Sequence, residues 1–187
     1  MSTQRPDVAV IVLAGGRSRR FGRDKLDARV EGRRLLDGAL DAALGVTSAV
    51  VVVGPPRGLP PDVVRVREEP AFSGPFAAVA AALPQVEAAV VIVLAGDLIE
   101  PAPLLPLLVE ALGAEPDADA AVTVDSDGRR QPLLAAYRVT ALRAGIAGVD
   151  PCNRGAYTLL DGLHVVEVHD PAHWSRDIDE PDDLPTS

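Results

Sequence analysis

Hydrophobic residues in this chain fall into short runs that are separated by glycine, proline and charged residues. Runs that are almost wholly apolar and rich in valine predict buried strands at residues 8–13, 49–53, 63–66 and 88–95. Apolar residues at helical spacing, or runs of alanine and leucine, predict helices at residues 35–44, 76–83 and 101–112. Strands and helices that alternate in this way indicate a mostly parallel sheet with helices on both faces.

The pattern becomes less regular towards the end of the chain. Strands are predicted at 120–124, 133–137 and 163–168, helices at 140–148 and 155–160, and a polar turn at 125–132. The tail at 177–184 is acidic and contains Pro181. Because no internal repeat or linker interrupts the pattern, we expect one α/β domain over residues 1–187.

Composition narrows the class of protein. With 48% hydrophobic residues the chain can bury a full core, and with 3% aromatic residues that core must be aliphatic. Few aromatics also argue against stacking platforms for single-stranded nucleic acid. A single cysteine, Cys152, excludes an internal disulfide framework and a cysteine-rich metal site. The start of the chain lacks a secretory signal and no run is long enough for a membrane span, so we expect a cytoplasmic protein.

The first predicted strand leads into Leu-Ala-Gly-Gly-Arg-Ser-Arg-Arg-Phe-Gly-Arg-Asp-Lys, residues 13–25. Gly15 and Gly16 lack a Cβ, so the backbone there can approach a ligand closely, and successive N–H groups can bind an anion. Lys25 is the only lysine among 18 basic residues, which favours a compact ammonium at this place. Eight basic residues lie at 17–34 in a chain of net charge −9, and this local excess indicates a small polyanionic ligand.

Two other predicted strands end in turns, at Gly54-Pro55 and Gly96-Asp97. Ligands of parallel sheets bind at the carboxyl ends of the strands, so we expect these turns and Gly15-Gly16 to share one face. Asp97 is a candidate Mg²⁺ ligand, because that ion takes one or two carboxylates together with phosphate oxygens. On spacing alone, Asp97 fits a helix N-cap equally well.

The glycine-rich segment has neither the spacing of a dinucleotide fingerprint nor the ending of a P-loop. Its Leu-Ala-Gly-Gly, followed by Arg19, Gly22 and Asp24-Lys25, resembles the signature of the MobA-like nucleotidyltransferase family, which includes molybdenum cofactor guanylyltransferase. The resemblance extends from Val10 to Leu184. It implies a Rossmann-like three-layer sandwich, and transfer of a nucleoside monophosphate from a nucleoside triphosphate to a phosphorylated acceptor with release of pyrophosphate.

The resemblance also assigns residues to the nucleotide and metal sites. Those implied to contact the nucleotide are Leu13, Ala14, Gly15, Gly16, Lys25, Glu69, Gly74 and Asp97. Arg19, Lys25 and Asp97 are implied to be catalytic, with Arg19 and Lys25 neutralising the pyrophosphate. Asp97 and Asp179 are implied to bind Mg²⁺, with Asp177 as the alternative to Asp179. Without the resemblance, Gly74-Pro75 is a turn that opens a helix, and the acidic tail is a solvated end.

In the molybdenum-cofactor subgroup, a segment like Arg129, Arg130, Gln131 and Pro132 lies beside the acceptor, and paired guanidiniums suit its phosphate. Taken alone, this segment is a hairpin turn. The resemblance implies GTP, with CTP second, as donor, molybdenum-loaded molybdopterin as acceptor, and contact with molybdoenzyme maturation proteins. The alternatives are a molybdopterin cytidylyltransferase, a 2-phospholactate guanylyltransferase, a sugar-phosphate nucleotidyltransferase, or a catalytically silent relative that only binds nucleotide.

Overall fold

The computed structural model describes residues 8–15, 26, 29–30 and 32–175, in which strands and helices alternate. The strands are β1 (Val8–Leu13), β2 (Arg29–Val30), β3 (Arg33–Arg34), β4 (Val50–Val53), β5 (Val64–Val66), β6 (Val90–Ala95), β7 (Ala120–Val124), β8 (Arg130–Arg138) and β9 (Val165–His169). The helices are α1 (Leu35–Val46), α2 (Pro75–Ala82), α3 (Leu104–Ala114) and α4 (Val139–Ile146). Two short 3₁₀ helices span Leu83–Gln85 and Ala156–Leu160.

A seven-stranded sheet in the order β5-β4-β1-β6-β8-β7-β9 forms the centre of the fold. Strand β1 pairs in parallel with β4 and β6, β4 pairs in parallel with β5, and β7 pairs in parallel with β9. The predicted mostly parallel sheet is therefore confirmed. Strand β8 runs antiparallel to both β6 and β7, because a tight turn joins β7 directly to β8.

Helices cover the sheet on both faces, which confirms the predicted three-layer sandwich. Successive side chains of β1 point to opposite faces. Val10 and Val12 pack with α1 and α3, whereas Ile11 and Leu13 pack with α2 and α4. Because both faces are covered, all six residues of β1 are buried, which explains its unbroken apolar sequence.

Several predicted boundaries differ from the structure. Helix α1 continues to Val46, beyond the predicted end at residue 44, and α3 begins at Leu104 rather than at residue 101. Strand β8 begins at Arg130 rather than at residue 133, because a bulge lets the pairing resume on the far side of Pro132. The segment predicted as a helix at 155–160 is a 3₁₀ helix.

In the ranges that the structure describes, none of the helices combines the length and the apolar character that crossing a bilayer requires.

Candidate functional site

A cleft of about 750 Å³ opens where β1 and β6 end. Its floor includes Leu13, Gly15, Ala95 and Asp97, which lie at or just beyond the carboxyl ends of these strands. The loop before α2, the turn between β7 and β8, and the segment after β9 supply the walls. Because β8 is antiparallel, its start lies at the same edge of the sheet as the ends of β6 and β7. A nonparallel strand thereby contributes to a site at the carboxyl edge.

The strand ends approach one another backbone to backbone at the floor of the cleft. The N–H of Ala14 donates to the carbonyl of Val53 at 2.7 Å, and the N–H of Gly96 donates to the carbonyl of Leu13 at 3.0 Å. A Cβ on Gly54 would lie 2.4 Å from the Ala14 oxygen, and one on Gly96 would lie 2.9 Å from the Leu13 oxygen. Only glycine fits at either place.

Arg57, which is not part of the glycine-rich segment, stabilises the start of that segment. It lies on the connection between β4 and β5, and its guanidinium donates to the carbonyl oxygen of Ala14 at 3.1 Å. This bond joins residues that are 43 positions apart. Arg57 was not among the predicted site residues, because no sequence motif marks a contact over such a distance.

The loop before α2 is held by three hydrogen bonds. Oε1 of the buried Glu68 accepts the N–H of Phe72 at 2.8 Å, and the hydroxyl of Ser73 donates to the carbonyl of Pro70 at 2.5 Å. The N–H of Asn153 donates to the carbonyl of Ser73 at 2.7 Å. This loop and the connection after α4 are therefore fixed to each other, and Phe72 lines the cleft.

Gly74 opens α2 in a conformation that other residues rarely adopt. Its φ is +100°, and a Cβ there would lie 2.8 Å from the carbonyl oxygen of Arg154. The glycine thus permits both the turn and the close approach of the neighbouring connection. Pro75 and Ala78, in the first turn of α2, also line the cleft.

Asp125 organises the turn between β7 and β8. Its Oδ1 accepts the N–H groups of Asp127 and Arg129, each at 2.9 Å, and its Oδ2 accepts the side-chain amide of Gln131 at 2.6 Å. Burial raises the pKa of Asp125, but these hydrogen bonds and the charge of Arg129 outweigh that effect and hold the pKa below its usual value. The ionised carboxylate therefore orients Gln131 towards the cleft.

Two tyrosines hold the start of β8. The buried Tyr137 donates its hydroxyl to the carbonyl of Pro132 at 2.8 Å, and burial raises the pKa of this phenol so that it stays a neutral donor. Tyr157, on the second 3₁₀ helix, donates to the carbonyl of Arg130 at 2.8 Å. Tyr157 also lines the cleft.

The segment after β9 adds His173 and Ser175 to the cleft. The carboxylate of the buried Asp170 accepts the N–H of Ala172 at 3.2 Å and that of Ser175 at 2.7 Å. Burial raises the pKa of Asp170, but the hydrogen bonds from Ser175, Trp174 and Ala172 hold it below the usual value. His173 and Ser175 were not among the predicted site residues, because they belong to no recognisable motif.

The geometry agrees with a comparison against known families, in which residues 10–167 match the model described as the MobA-like NTP transferase domain. The chain belongs to the MobA-like NTP transferase family. This result confirms the resemblance inferred from the glycine-rich segment and makes the protein a member of a nucleotidyltransferase family.

Individual members of the family and of its wider fold are similar over nearly their whole length. A protein from Chloroflexus aggregans, described as a probable molybdenum cofactor guanylyltransferase, is 32% identical over 93% of this chain and 90% of its own. The structure of molybdopterin-guanine dinucleotide biosynthesis protein A from Archaeoglobus fulgidus matches with a TM-score of 0.73, at 23% identity over 94% of both chains. That of 2-C-methyl-D-erythritol 4-phosphate cytidylyltransferase from Thermus thermophilus gives 0.67, at 21% identity over 93% of this chain and 94% of its own. At these identities the two structures support the fold alone.

The cleft of this NTP transferase domain brings together residues from both predicted contact sets. Those that line it are Leu13, Gly15, Gly74 and Asp97 from the nucleotide set, and Arg129, Gln131 and Pro132 from the acceptor set. The predicted roles of Gly16, Arg19, Lys25 and Asp179 concern positions outside the described residues. They stay predictions.

Three predicted contacts do not reach the cleft lining. Ala14 is fully buried, and Glu69 is exposed outside the cleft, where its neighbour Glu68 lines the wall instead. Arg130 is also absent from the lining, because successive residues of a strand point to opposite sides. Its Nε donates to Oε1 of Glu167 on β9 at 2.8 Å, whereas Arg129 and Gln131 line the cleft.

The side chains that line the cleft suit a metal ion that is held partly by the protein and partly by a bound nucleotide. No three His, Cys, Asp or Glu side chains within the described ranges come together as a metal site. Asp97 supplies one carboxylate to the floor of the cleft. Because Mg²⁺ commonly takes one or two carboxylates and completes its shell with phosphate oxygens and water, Asp97 fits Mg²⁺ bound together with a nucleotide.

Proposed function

We propose that this protein transfers GMP from GTP to the terminal phosphate of molybdenum-loaded molybdopterin and releases pyrophosphate. The observation that carries the proposal is a single cleft that joins the end of β1 and Asp97 to Arg129 and Gln131, which lie at the junction of the β7–β8 turn and β8. Such a cleft has room for a nucleotide and a phosphorylated acceptor side by side. The 32% identity to a probable molybdenum cofactor guanylyltransferase supports guanine and this acceptor over other choices.

In the proposed reaction an oxygen of the acceptor phosphate attacks the α-phosphorus of GTP. One P–O bond forms there, and the bond from the α-phosphorus to the oxygen that bridges it to the β-phosphorus breaks. Pyrophosphate leaves with that electron pair. A phosphate monoester already carries close to two negative charges near neutral pH, since its second pKa is about 6, so no general base is required. Positioning and neutralisation of charge must then supply most of the acceleration.

The residues of the cleft divide this work between them. The backbone at Leu13 and Gly15 would hold the nucleotide at the end of β1, where the structure leaves room for close approach. Asp97 would hold Mg²⁺, with Asp179 as the second predicted ligand, and the ion when bound would neutralise charge on the phosphates. Arg129 would bind the acceptor phosphate through its guanidinium, beside Gln131.

The test is pyrophosphate release with molybdenum-loaded molybdopterin and Mg²⁺, comparing GTP, CTP, ATP and UTP. We expect release with GTP alone. Release with CTP alone would instead make the protein a cytidylyltransferase. Silence with every nucleotide, together with measurable nucleotide binding, would reject this acceptor and lead to a second panel with 2-phospholactate and sugar phosphates.

A matched pair of variants tests the role of Asp97 in the same assay. Asp97→Asn removes the carboxylate just beyond the end of β6 with almost no change of shape. We expect turnover to fall at least about 100-fold, the scale of losing one electrostatic contact to the reacting groups. Asp62→Asn makes the same chemical change at an exposed position outside the cleft, and it should retain full turnover. Equal turnover in the two variants would reject Asp97 as the metal ligand.

A further inference from the structure

Within the part of the chain that the structure describes, the exposed aromatic rings lie at the cleft. The chain has only three Phe, two Tyr and one Trp. Among those that the structure describes, Phe76 and Tyr137 are buried and Trp174 packs against the core. Phe72 and Tyr157 are 43% and 58% exposed, and both line the cleft. Since large rings are costly to expose, two of them in one cavity indicate a ligand that covers them.

Phe72 is held in place by its backbone and by a neighbouring cation. Its φ of +66° lies in the left-handed region, which bulky side chains rarely occupy and which concentrates at ligand sites. The hydrogen bond from its N–H to Glu68 stabilises this conformation. The guanidinium carbon of Arg67 lies over the ring, 5.5 Å from its centroid. One face of the ring is therefore backed by Arg67, and the side chain still contributes to the cleft wall.

Tyr157 is held at its hydroxyl end, which donates to the carbonyl of Arg130. The loop that carries Phe72 is joined to the segment just before the 3₁₀ helix of Tyr157 by the hydrogen bond from the N–H of Asn153 to the carbonyl of Ser73. Phe72 precedes Ser73 directly, and Tyr157 follows Asn153 by four residues. The two side chains thus line one cleft from segments that are fixed to each other, and we call this pair of rings the aromatic wall.

We infer that the aromatic wall binds the planar heterocycle of the acceptor substrate, an inference that rests on the proposed function. Planar heterocycles stack on aromatic side chains regardless of their hydrogen-bonding edges. The hydroxyl of Tyr157 ties the wall to the start of β8, beside Arg129 and Gln131, the proposed contacts of the acceptor phosphate. Of the residues implied to contact the nucleotide, Leu13 and Gly15 lie at the end of β1, which β6 separates from β8 in the sheet. Gly74, two residues after Phe72, borders the wall, and the parallel GTP titration described below separates the two ligands. For molybdopterin, the heterocycle is a pterin.

The test uses 6-hydroxymethylpterin phosphate, a fluorescent pterin that needs no molybdenum, titrated with the full chain. GTP affinity is measured in parallel. Tyr157→Leu and Phe72→Leu each remove one ring, whereas Tyr157→Phe keeps the ring and loses only the hydrogen bond. Leu107→Ala, at an exposed position on α3 outside the cleft, is the matched control.

We expect each ring-removing variant to raise the Kd for the pterin about tenfold, or about 1.4 kcal/mol, with the Kd for GTP changed less than about twofold. A loss of this size is typical of removing one stacking ring. Tyr157→Phe and Leu107→Ala should bind the pterin within about threefold of the natural protein, because both keep the two rings. The retained GTP affinity reports that each variant is folded.

Three outcomes would overturn the inference: no pterin binding by the natural protein, unchanged pterin affinity in both ring-removing variants, or an equal loss of GTP affinity, which would assign the wall to the nucleobase. Failure of the proposed function is a separate result. Pterin binding that depends on the rings, without pyrophosphate release from any nucleotide, would support the wall and reject the transferase assignment. Pyrophosphate release together with a pterin affinity that is unchanged in both ring-removing variants would support the transferase assignment and reject the wall.

Discussion

At the scale of single residues, the floor of the cleft depends on glycines whose neighbours are backbone atoms. The hydrogen of Gly54 lies where a Cβ would meet the carbonyl oxygen of Ala14 at 2.4 Å. Because backbone on both sides cannot rotate away as a side chain can, a methyl group here must displace either β4 or the start of the glycine-rich segment. Glycine is therefore required at position 54 because the neighbouring backbone leaves no space for a Cβ.

Gly54→Ala should lower the free energy of unfolding by about 2 kcal/mol, the usual range for forcing a methyl group into a packed site. Gly58→Ala is the matched control on the same connection, since a Cβ at Gly58 has nothing within 4 Å. We expect that change to be neutral, within about 0.5 kcal/mol. Urea unfolding of both variants decides the matter. Similar midpoints and slopes for the two would show that the turn yields to the added methyl group.

At the scale of elements, aspartate carboxylates fix the backbone of two loops that border the cleft. Asp125 holds the turn after β7, and Asp170 holds the segment after β9, each by accepting backbone N–H groups. Both have a pKa below the usual value in the folded protein. A carboxylate of this kind stabilises the fold above the pKa of the unfolded chain, and that contribution is lost as the pH falls through the folded-state pKa.

Asp170→Asn should therefore destabilise the protein most at neutral pH. The amide keeps one acceptor oxygen and loses the other, so we expect a loss of about 1–2 kcal/mol near pH 7. As the pH falls below 3.8, the ordinary value for this carboxyl, the natural protein loses the same contribution and the difference should shrink. Urea unfolding at several pH values measures it.

Asp161→Asn, at an exposed position, serves as the control and should change stability little at any pH. A difference between natural protein and Asp170→Asn that grows towards acid pH would contradict the assignment. So would a difference that does not change with pH, since an uncharged role for Asp170 would give that result.

The sequence predicts those elements whose boundaries depend on local patterns, and it fails where the boundaries depend on contacts between distant residues. Strands β1 and β6 are predictable, because burial on both faces demands an unbroken apolar run. The start of β8 is not, because it depends on a bulge opposite β7 that skips Pro132. The side to which Arg130 points follows from where that strand starts. Its ion pair with Glu167 was therefore as hard to predict as the strand boundary itself.

The same limit applies to the site. The local sequence predicts the turns that contain Gly15, Gly74 and Asp97. The structure brings these three residues to one cleft. Arg57, Phe72 and Tyr157 reach that region only through contacts between distant loops, for which a single sequence gives no signal.

At the scale of the whole molecule, the sheet order separates two halves of the cleft. Strands β5, β4 and β1 lie on one side of β6, and β8, β7 and β9 lie on the other. If the nucleotide binds at the end of β1 and the acceptor binds at the start of β8, substitutions in one half should affect one substrate. Neighbouring arginines on the acceptor side provide the test, because one lines the cleft and the other does not.

Arg129→Gln should raise the KM for the acceptor at least about tenfold, because it removes a charge-assisted hydrogen bond to phosphate. The KM for GTP should stay within about twofold, since no part of the nucleotide is assigned to this half.

Arg130→Gln makes the identical change one residue away, where the guanidinium forms an ion pair with Glu167 at the surface. It should alter stability by less than about 1 kcal/mol and neither KM. Equal effects of the two variants on the acceptor would mean that charge near the cleft matters and position does not. A rise in the KM for GTP with Arg129→Gln would mean that the nucleotide extends across β6, and the division of the cleft would have to be abandoned.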